Sequence, residues 1–428
     1  LETKEPLVQE SLSHGQKEKL TFAEYMKSLG PGTIVAAGII GPGTVTTASV
    51  AGATYGYQTV WILVLACIIA YFYQEPALRI TVYKNMTIME GVRRHISPWG
   101  AAFLFLTILV GVIAFQAGNF IGAGLAMNFF VPGVSISVWA CILAVLALVI
   151  SWVGVYRIME NIMTAAVVSM ALAFVITAFS SGPDLGQLVT EGFSLTIPGG
   201  DIWLVAALVA TTLPPNIVLA LSVFTKKRNS GKTRLDGGHE KKLKLARFDL
   251  GINSAILALI TVGIVIAAGT VIFPTGQVIA SAADMAVQLT PLLGRYAGIL
   301  FALGLFAAGF TSGLYQISLQ PSFLNDAFGW EDDARAVRSK LIMILAALSP
   351  VVIIFLFGSA PIQLVITAQA LNGVALPIVA VFVLVLLNKK AFLGDKVNSR
   401  KQNISFGAIT CIVVILGLQV LLRLFGVI

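Results

Sequence analysis

Eleven stretches of this chain are long enough, and free enough of charge, to cross a bilayer, which narrows its possible folds more than any other feature. They fall near residues 29–51, 58–80, 101–128, 136–154, 159–180, 202–224, 247–273, 294–325, 339–358, 361–388 and 404–427. Hydrocarbon offers the backbone no hydrogen-bond partner, and these stretches lack the two-residue alternation of a barrel. Each is therefore expected to be an α-helix. With 57% of its 428 residues hydrophobic and 11% charged, the chain has no room for a separate soluble domain. Residues 1–22 are polar and lack the apolar core of a cleavable signal, and residues 1–28 read as a cytoplasmic N-terminal segment.

The basic residues lie between the apolar stretches, so the net charge of +8 reads as a topology signal and not as a nucleic-acid face. With the N-terminus placed inside, 26 of the 28 Lys and Arg residues fall on cytoplasmic segments, including the run from Lys226 to Arg247. Only Arg295 and Arg423 remain outside. The expected topology is a cytoplasmic N-terminus and an external C-terminus in the plasma membrane. Asp184, Glu191, Asp201 and Asp284 fall in external loops and read as solvated charges, with a weak concentration of cations as the alternative. Cys67, Cys141 and Cys411 are scattered within apolar stretches, and His14, His95 and His239 sit in polar connections. Neither set builds a zinc site, a disulfide framework or a proton path at membrane depth.

Helix breakers sit inside two of the spans. Span 1 carries Gly41-Pro42-Gly43-Thr44, and span 6 carries Thr212-Leu213-Pro214-Pro215-Asn216. Proline removes a backbone donor and clashes with the preceding turn, so carbonyls lose their partners there. At membrane depth this is tolerated where the freed groups face protein or a water-filled cavity. The two breaks open blocks of five spans, residues 29–180 and 202–388, followed by span 11 at 404–427. Because five is odd, the second block enters the membrane inverted. Matched breaks in inverted halves point to a transporter that binds its substrate at the midplane.

Carboxylates near the spans have structural readings. Glu75 precedes Arg79 by four residues, Glu160 follows Arg157 by three, and Asp249 is placed in the first turn of span 7. Around the breaks, what remains is neutral oxygen: carbonyls near Gly41 and Ala210, hydroxyls of Thr44, Thr46, Thr47, Thr211 and Thr212, and amides of Asn216, Gln116, Asn119, Gln369 and Asn372. Such groups suit water, hydrated hard cations or polar organic molecules better than soft metals.

The stretch Gly30-Pro31-Gly32, then Gly41-Pro42-Gly43-Thr44, then Ala51-Gly52-Ala53-Thr54-Tyr55-Gly56-Tyr57 resembles the first two helices of the natural resistance-associated macrophage protein (NRAMP) transporters. The likeness extends over nearly the whole chain. It implies an all-α membrane protein with the leucine-transporter fold: eleven transmembrane helices in two inverted five-helix repeats, with helices 1 and 6 broken. That family imports Mn²⁺, Fe²⁺ and related ions with protons. Departures fall on the chemistry. Gly41 and Thr44 replace the aspartate and asparagine of the family's Asp-Pro-Gly-Asn motif. Leu213 and Pro215 replace the methionine and histidine of Ala-x-x-Met-Pro-His, whose alanine is Ala210. Gln116 and Asn119 stand where relatives carry acids of the proton route, and Gln369 matches a glutamine near the family's metal site. The pattern resembles the divergent NRAMP-related magnesium transporters.

The resemblance and the residues together lead to the expectation of Mg²⁺ uptake, with Mn²⁺ also passing, by alternating access without proton coupling. The ion would stay largely hydrated, held mostly through water by Gly41, Thr44, Ala210 and Thr212, with Asn216, Asn119 and Gln369 completing the cavity. No cofactor or nucleic-acid partner is expected, and the lipid-embedded chain is expected to act as a monomer. The alternative is a carrier for an amino acid or another small polar organic solute on the same fold. An intramembrane enzyme is disfavoured, since the spans hold no histidine, no facing acid pair and no Gly-x-Ser-x-Gly elbow.

Overall fold

The computed structural model describes residues 20–32, 38–153, 157–231, 235, 237–357 and 360–426, with the backbone alone described for 157–163. Residues 33–37 of span 1, and the expected Arg157 to Glu160 pairing, lie outside the described residues. The remaining elements follow the apolar stretches closely. Spans 2 to 5 are Val60–Lys84, Pro98–Phe130, Ile136–Val153 and Arg157–Ser180. Spans 7 to 9 are His239–Val271, Ala297–Phe328 and Val337–Phe357, and span 11 is Arg400–Leu424. Among the described residues nine helical stretches are long and apolar enough to cross a membrane, or ten if Thr164–Ser180 is joined to the bent helix Leu185–Gly192. Span 1 falls outside that count because part of it is not described.

Both expected breaks are present, and proline chemistry accounts for them. In span 1 the helix stops at Ile40–Gly41 and restarts as Pro42–Tyr55, with Gly41 extended at the N-cap and Pro42 in the first turn. Proline is at home there, because its missing N–H would have had no helical partner. The carbonyl of Gly38, four residues earlier, loses its normal donor to Pro42 and instead accepts the Ser312 hydroxyl of span 8 at 3.2 Å. In span 6, Ile202–Thr212 is separated from Ile217–Ser230 by Leu213-Pro214-Pro215-Asn216. Two consecutive prolines strip the carbonyls of Ala210 and Thr211 of their donors four residues on. The helix resumes when Ile217 N–H donates to the Pro214 carbonyl at 3.0 Å.

Span 10 is also interrupted, between Pro361–Gly373 and Leu376–Asn388, a feature not anticipated from the sequence. The start of span 7 differs too. Its helix begins at His239, eight residues ahead of the apolar run, so Asp249 sits well inside the helix and not in its first turn. The charged residues from His239 to Arg247 extend the helix beyond the apolar stretch.

Small residues let the broken helices come close to their neighbours. Span 3 packs along span 8, span 7 packs on spans 1 and 2, and the first half of span 6 packs on span 10. Pro42 is wedged between spans 3 and 8 at two glycines. A Cβ on Gly122 would fall 2.0 Å from Pro42 Cβ, and one on Gly309 would fall 2.9 Å from Pro42 Cγ. Transmembrane helices pack closely through such small residues because lipid supplies no hydrophobic drive to bring them together.

Candidate functional site

The breaks of spans 1 and 6 meet directly. Thr44 Oγ1 lies 2.8 Å from Thr211 Oγ1 and donates to the Ile39 carbonyl at 2.8 Å, which leaves the Thr211 hydroxyl to donate across the interface. Thr211, and not Thr212, is thus the span 6 hydroxyl facing span 1. Thr212 turns back to donate to the Leu208 carbonyl at 2.8 Å in its own helix.

Gly41 leaves room for polar groups from two other spans. A Cβ there would sit 3.1 Å from Asn119 Oδ1 and 3.4 Å from Ser312 Oγ. The Asn119 amide donates to Gln116 Oε1 at 2.9 Å and Ser312 Oγ at 3.1 Å, while its own oxygen has no hydrogen-bond partner in the protein. The Gly41 carbonyl, expected to be a freed acceptor, already takes the Val45 N–H at 3.2 Å, because Gly41 is the N-cap of the helix that follows. The Ala210 carbonyl lacks a helical donor, as Pro214 dictates. Ala210 itself packs on span 10, where a Cβ on Gly373 would fall 2.8 Å from its methyl.

Gln369 of span 10 is fully buried, and neither end of its carboxamide has a protein partner. Its nitrogen lies where a Cβ of Gly43 would be, 2.1 Å away, and 3.0 Å from the corresponding position on Gly118. The side chain therefore fills the space over the span 1 break. An unmade hydrogen bond at a buried polar group costs roughly 1–3 kcal/mol, so such an amide favours any polar guest that reaches it. Asn216 stands apart from this group, donating to Gln316 Oε1 of span 8 at 2.7 Å, with its own oxygen unpaired.

Span 8 therefore contributes two residues that the sequence reading missed, Ser312 and Gln316. With Gln320 they recur every four residues, a polar stripe along one face of the helix. That periodicity was available in the sequence. Among the described residues no cluster of three His, Cys, Asp or Glu side chains is placed to hold a metal ion. The midplane is uncharged.

The two ends of this region differ. Toward the start of the chain it is sealed: Asp249 accepts the N–H groups of Gly30 and Gly32 at 3.2 and 2.8 Å, and the Arg228 guanidinium donates to the Ser28 carbonyl at 2.7 Å. These bonds fasten the entry of span 1 to spans 6 and 7. At the other end, a cavity of about 250 Å³ opens between spans 1, 6 and 10, lined among others by Thr54, Asp201, Gln363, Ile366 and Thr367. Gln369 lies one turn beyond Ile366, and Thr47 two turns before Thr54, so both helix faces continue from the cavity to the breaks. Asp201 is accordingly more than a solvated loop charge. It caps span 6 by accepting the Leu204 N–H at 3.1 Å, accepts the Tyr55 hydroxyl at 3.3 Å, and lines the cavity. Asp184 and Asp284, by contrast, serve only at helix N-termini, Asp184 as an N-cap and Asp284 in a capping box with Ser281. Glu75 pairs with Arg79 at 2.9 Å, as the spacing predicts.

Comparison with known proteins agrees with this architecture. A family model described as natural resistance-associated macrophage protein-like matches residues 32–423. A divalent metal cation transporter MntH of Caldanaerobacter subterraneus is 23% identical over 412 residues, covering 94% of each chain. The crystal structure of an Eremococcus coleocola manganese transporter, in complex with an aromatic bis-isothiourea substituted compound, superposes with a TM-score of 0.76 at 19% identity, covering 94% of this chain and 88% of that one. Mhp1, a nucleobase-cation-symport-1 family transporter in a closed conformation, superposes with a TM-score of 0.59 at 14% identity, over 92% and 91% of the two chains. The fold is the leucine-transporter fold.

Proposed function

The chain belongs to the natural resistance-associated macrophage protein (Nramp) family, and on that premise we propose that it carries divalent cations across the membrane. Mg²⁺ is its principal substrate, Mn²⁺ also passes, and the ion moves with most of its water and without protons. The relatives are divalent metal cation transporters, which supports the substrate class. The observation that carries the finer reading is the uncharged midplane, where Gly41, Thr44 and Leu213 stand in place of the family's aspartate, asparagine and methionine. Mg²⁺ sheds water reluctantly, and neutral oxygens alone would not compensate for stripping it. Hydroxyls and amides do suit the outer face of its water shell. The unpaired oxygens of Asn119 and Gln369 are acceptors for coordinated water, which is a strong donor.

Gln369 occupies the space over Gly43 in this closed arrangement, so entry of a hydrated ion requires its carboxamide to swing aside and then bond the ion's water. The external cavity lined by Asp201 is the entrance, and release of the Asp249 and Arg228 contacts opens the other side. A membrane potential is sufficient to drive uptake, since moving two charges through 100 mV is worth about 4.6 kcal/mol.

Anomalous density from Mn²⁺-soaked crystals tests this directly. The expected peak lies between the breaks, roughly 4–5 Å from the oxygens of Thr44, Asn119 and Gln369, the span of a metal–water contact and a water–protein hydrogen bond placed end to end. A peak at about 2.1 Å from protein oxygens would mean a dehydrated ion and overturn the reading. For the entrance, Asp201→Asn keeps the helix cap but removes the charge. The half-saturating Mg²⁺ concentration should rise roughly two- to fivefold at low ionic strength, with maximal flux unchanged, and the difference should shrink in high salt. An unchanged half-saturation in liposome flux assays would remove Asp201 from the pathway.

A further inference from the structure

We propose that a cavity at the opposite end of the molecule from the Asp201 entrance binds the phosphate headgroup of an anionic phospholipid. It has a volume of about 330 Å³ and lies between spans 2, 7 and 11, at the end where the chain begins. That is within the size range of small-molecule sites, which start at roughly 300 Å³. Its polar wall carries three cations, Arg79, Arg247 and Lys401, and one anion, Glu75. Glu75 is already committed: Oε2 accepts Arg79 Nε at 2.9 Å, and Oε1 accepts Arg247 Nε at 2.9 Å together with a second guanidinium nitrogen of Arg247. One carboxylate fixes two guanidinium groups and neutralises one of them. Lys401 has no acidic partner among the described residues. The wall therefore keeps two positive charges in excess, with Arg79 and Arg247 oriented by Glu75 and Gln402 and Ser405 as neutral hydrogen-bond donors alongside.

The rest of the wall is apolar and open to the bilayer. Phe72 of span 2 is 51% exposed at the mouth of the cavity, and the buried Phe406 and Ile409 of span 11 form its inner apolar wall. Guanidinium groups bind phosphate through paired N–H donors, and basic pockets between helices at this depth suit anionic lipid headgroups. A free phosphate would use the cations alone. A phospholipid also covers the exposed Phe72 with its chains, and this continuity of charged and apolar wall identifies the lipid as the occupant. The site is separate from the transport pathway and does not depend on which ion is carried.

Native mass spectrometry of the full chain in detergent, with added phosphatidylglycerol or phosphatidylcholine, tests the assignment. The expected result is one retained phosphatidylglycerol, favoured over phosphatidylcholine by about tenfold or more. Lys401→Gln, an exposed position whose loss leaves every described contact intact, should reduce that preference several-fold. Arg247→Gln with Lys401→Gln should bring it to the phosphatidylcholine level, and Phe72→Ala should weaken retention of phosphatidylglycerol without changing binding of glycerol phosphate. Equal retention of the two lipids, or undiminished preference in Lys401→Gln, would overturn the proposal. So would displacement of the lipid by millimolar inorganic phosphate, which would assign the pocket to a free anion.

Discussion

Gly41→Asp combined with Leu213→Met should raise the preference for Mn²⁺ or Cd²⁺ over Mg²⁺ by about tenfold or more, equivalent to roughly 1.4 kcal/mol of differential binding. The backbone admits the aspartate, because Gly41 has an ordinary negative φ of −108°. The added side chain would start 3.1 Å from the unpaired oxygen of Asn119 and 3.4 Å from the Ser312 hydroxyl. It would therefore bring a charged oxygen against a neutral one, an arrangement that only a cation resolves. A lone buried charge costs roughly 3–5 kcal/mol, so the variant's thermal stability should become dependent on divalent ions. The thioether at position 213 adds the soft ligand that favours Mn²⁺ and Cd²⁺ over Mg²⁺. Competition assays in liposomes measure the selectivity. An unchanged Mg²⁺ preference in a folded double variant would place the ion somewhere other than the breaks.

Thr44→Leu should lower Mg²⁺ flux by about a hundredfold while the protein still folds. Thr44 makes the hydrogen bond that joins the break of span 1 to that of span 6, and it is buried to 1% exposure. Leucine replaces a shared hydroxyl with apolar bulk where the two breaks meet and leaves Thr211 without its partner. The overpacking costs roughly 1–3 kcal/mol of stability, which a chain of this size tolerates. The Ile39 carbonyl is not orphaned, since the Gly41 N–H still donates to it at 2.7 Å. Thr44→Ser should recover most of the flux. Persistent transport in Thr44→Leu, with Tm lowered by only a few degrees, would remove this contact from the pathway.

Much of the fold was legible because lipid imposes simple rules. A run of about twenty apolar residues forms a helix, and a proline within it frees a specific carbonyl. Pro42, Pro214 and Pro215 placed both breaks on that basis alone. The start of span 7 was not legible from hydropathy, because the stretch from His239 to Arg247 is rich in charge and yet helical, held to other elements by pairs such as Arg247 with Glu75. The break in span 10 was hidden for the opposite reason. Its flanks are as apolar as the rest, and only Asn372-Gly373 and Pro377 hint at it.

At the site, residue types were readable but directions were not. Thr211 and Thr212 are equivalent in sequence, and the helix decides which hydroxyl crosses to Thr44 and which returns to Leu208. Glycine contacts were equally silent: Gly43 and Gly118 matter because Gln369 lies over them. The polar stripe of Ser312, Gln316 and Gln320 was visible as a four-residue spacing, yet the helix runs unbroken past Gly313 and Pro321 and so offers no interruption to draw attention to it. Asp201 read as one of several loop acids until its place beside Thr54 and Thr367 set it apart from Asp184 and Asp284.

The central claim is that a doubly charged ion crosses through uncharged oxygen without a proton. The most direct test is simultaneous recording of Mg²⁺ entry and internal pH in proteoliposomes held at a negative internal potential. The account predicts Mg²⁺ influx that grows with the imposed potential, stays constant as external pH is varied between about 6 and 8, and leaves the interior pH unchanged, because no histidine or carboxylate at the breaks titrates in that range. Acidification in step with Mg²⁺ entry would contradict it, as would no Mg²⁺ influx alongside robust Mn²⁺ uptake.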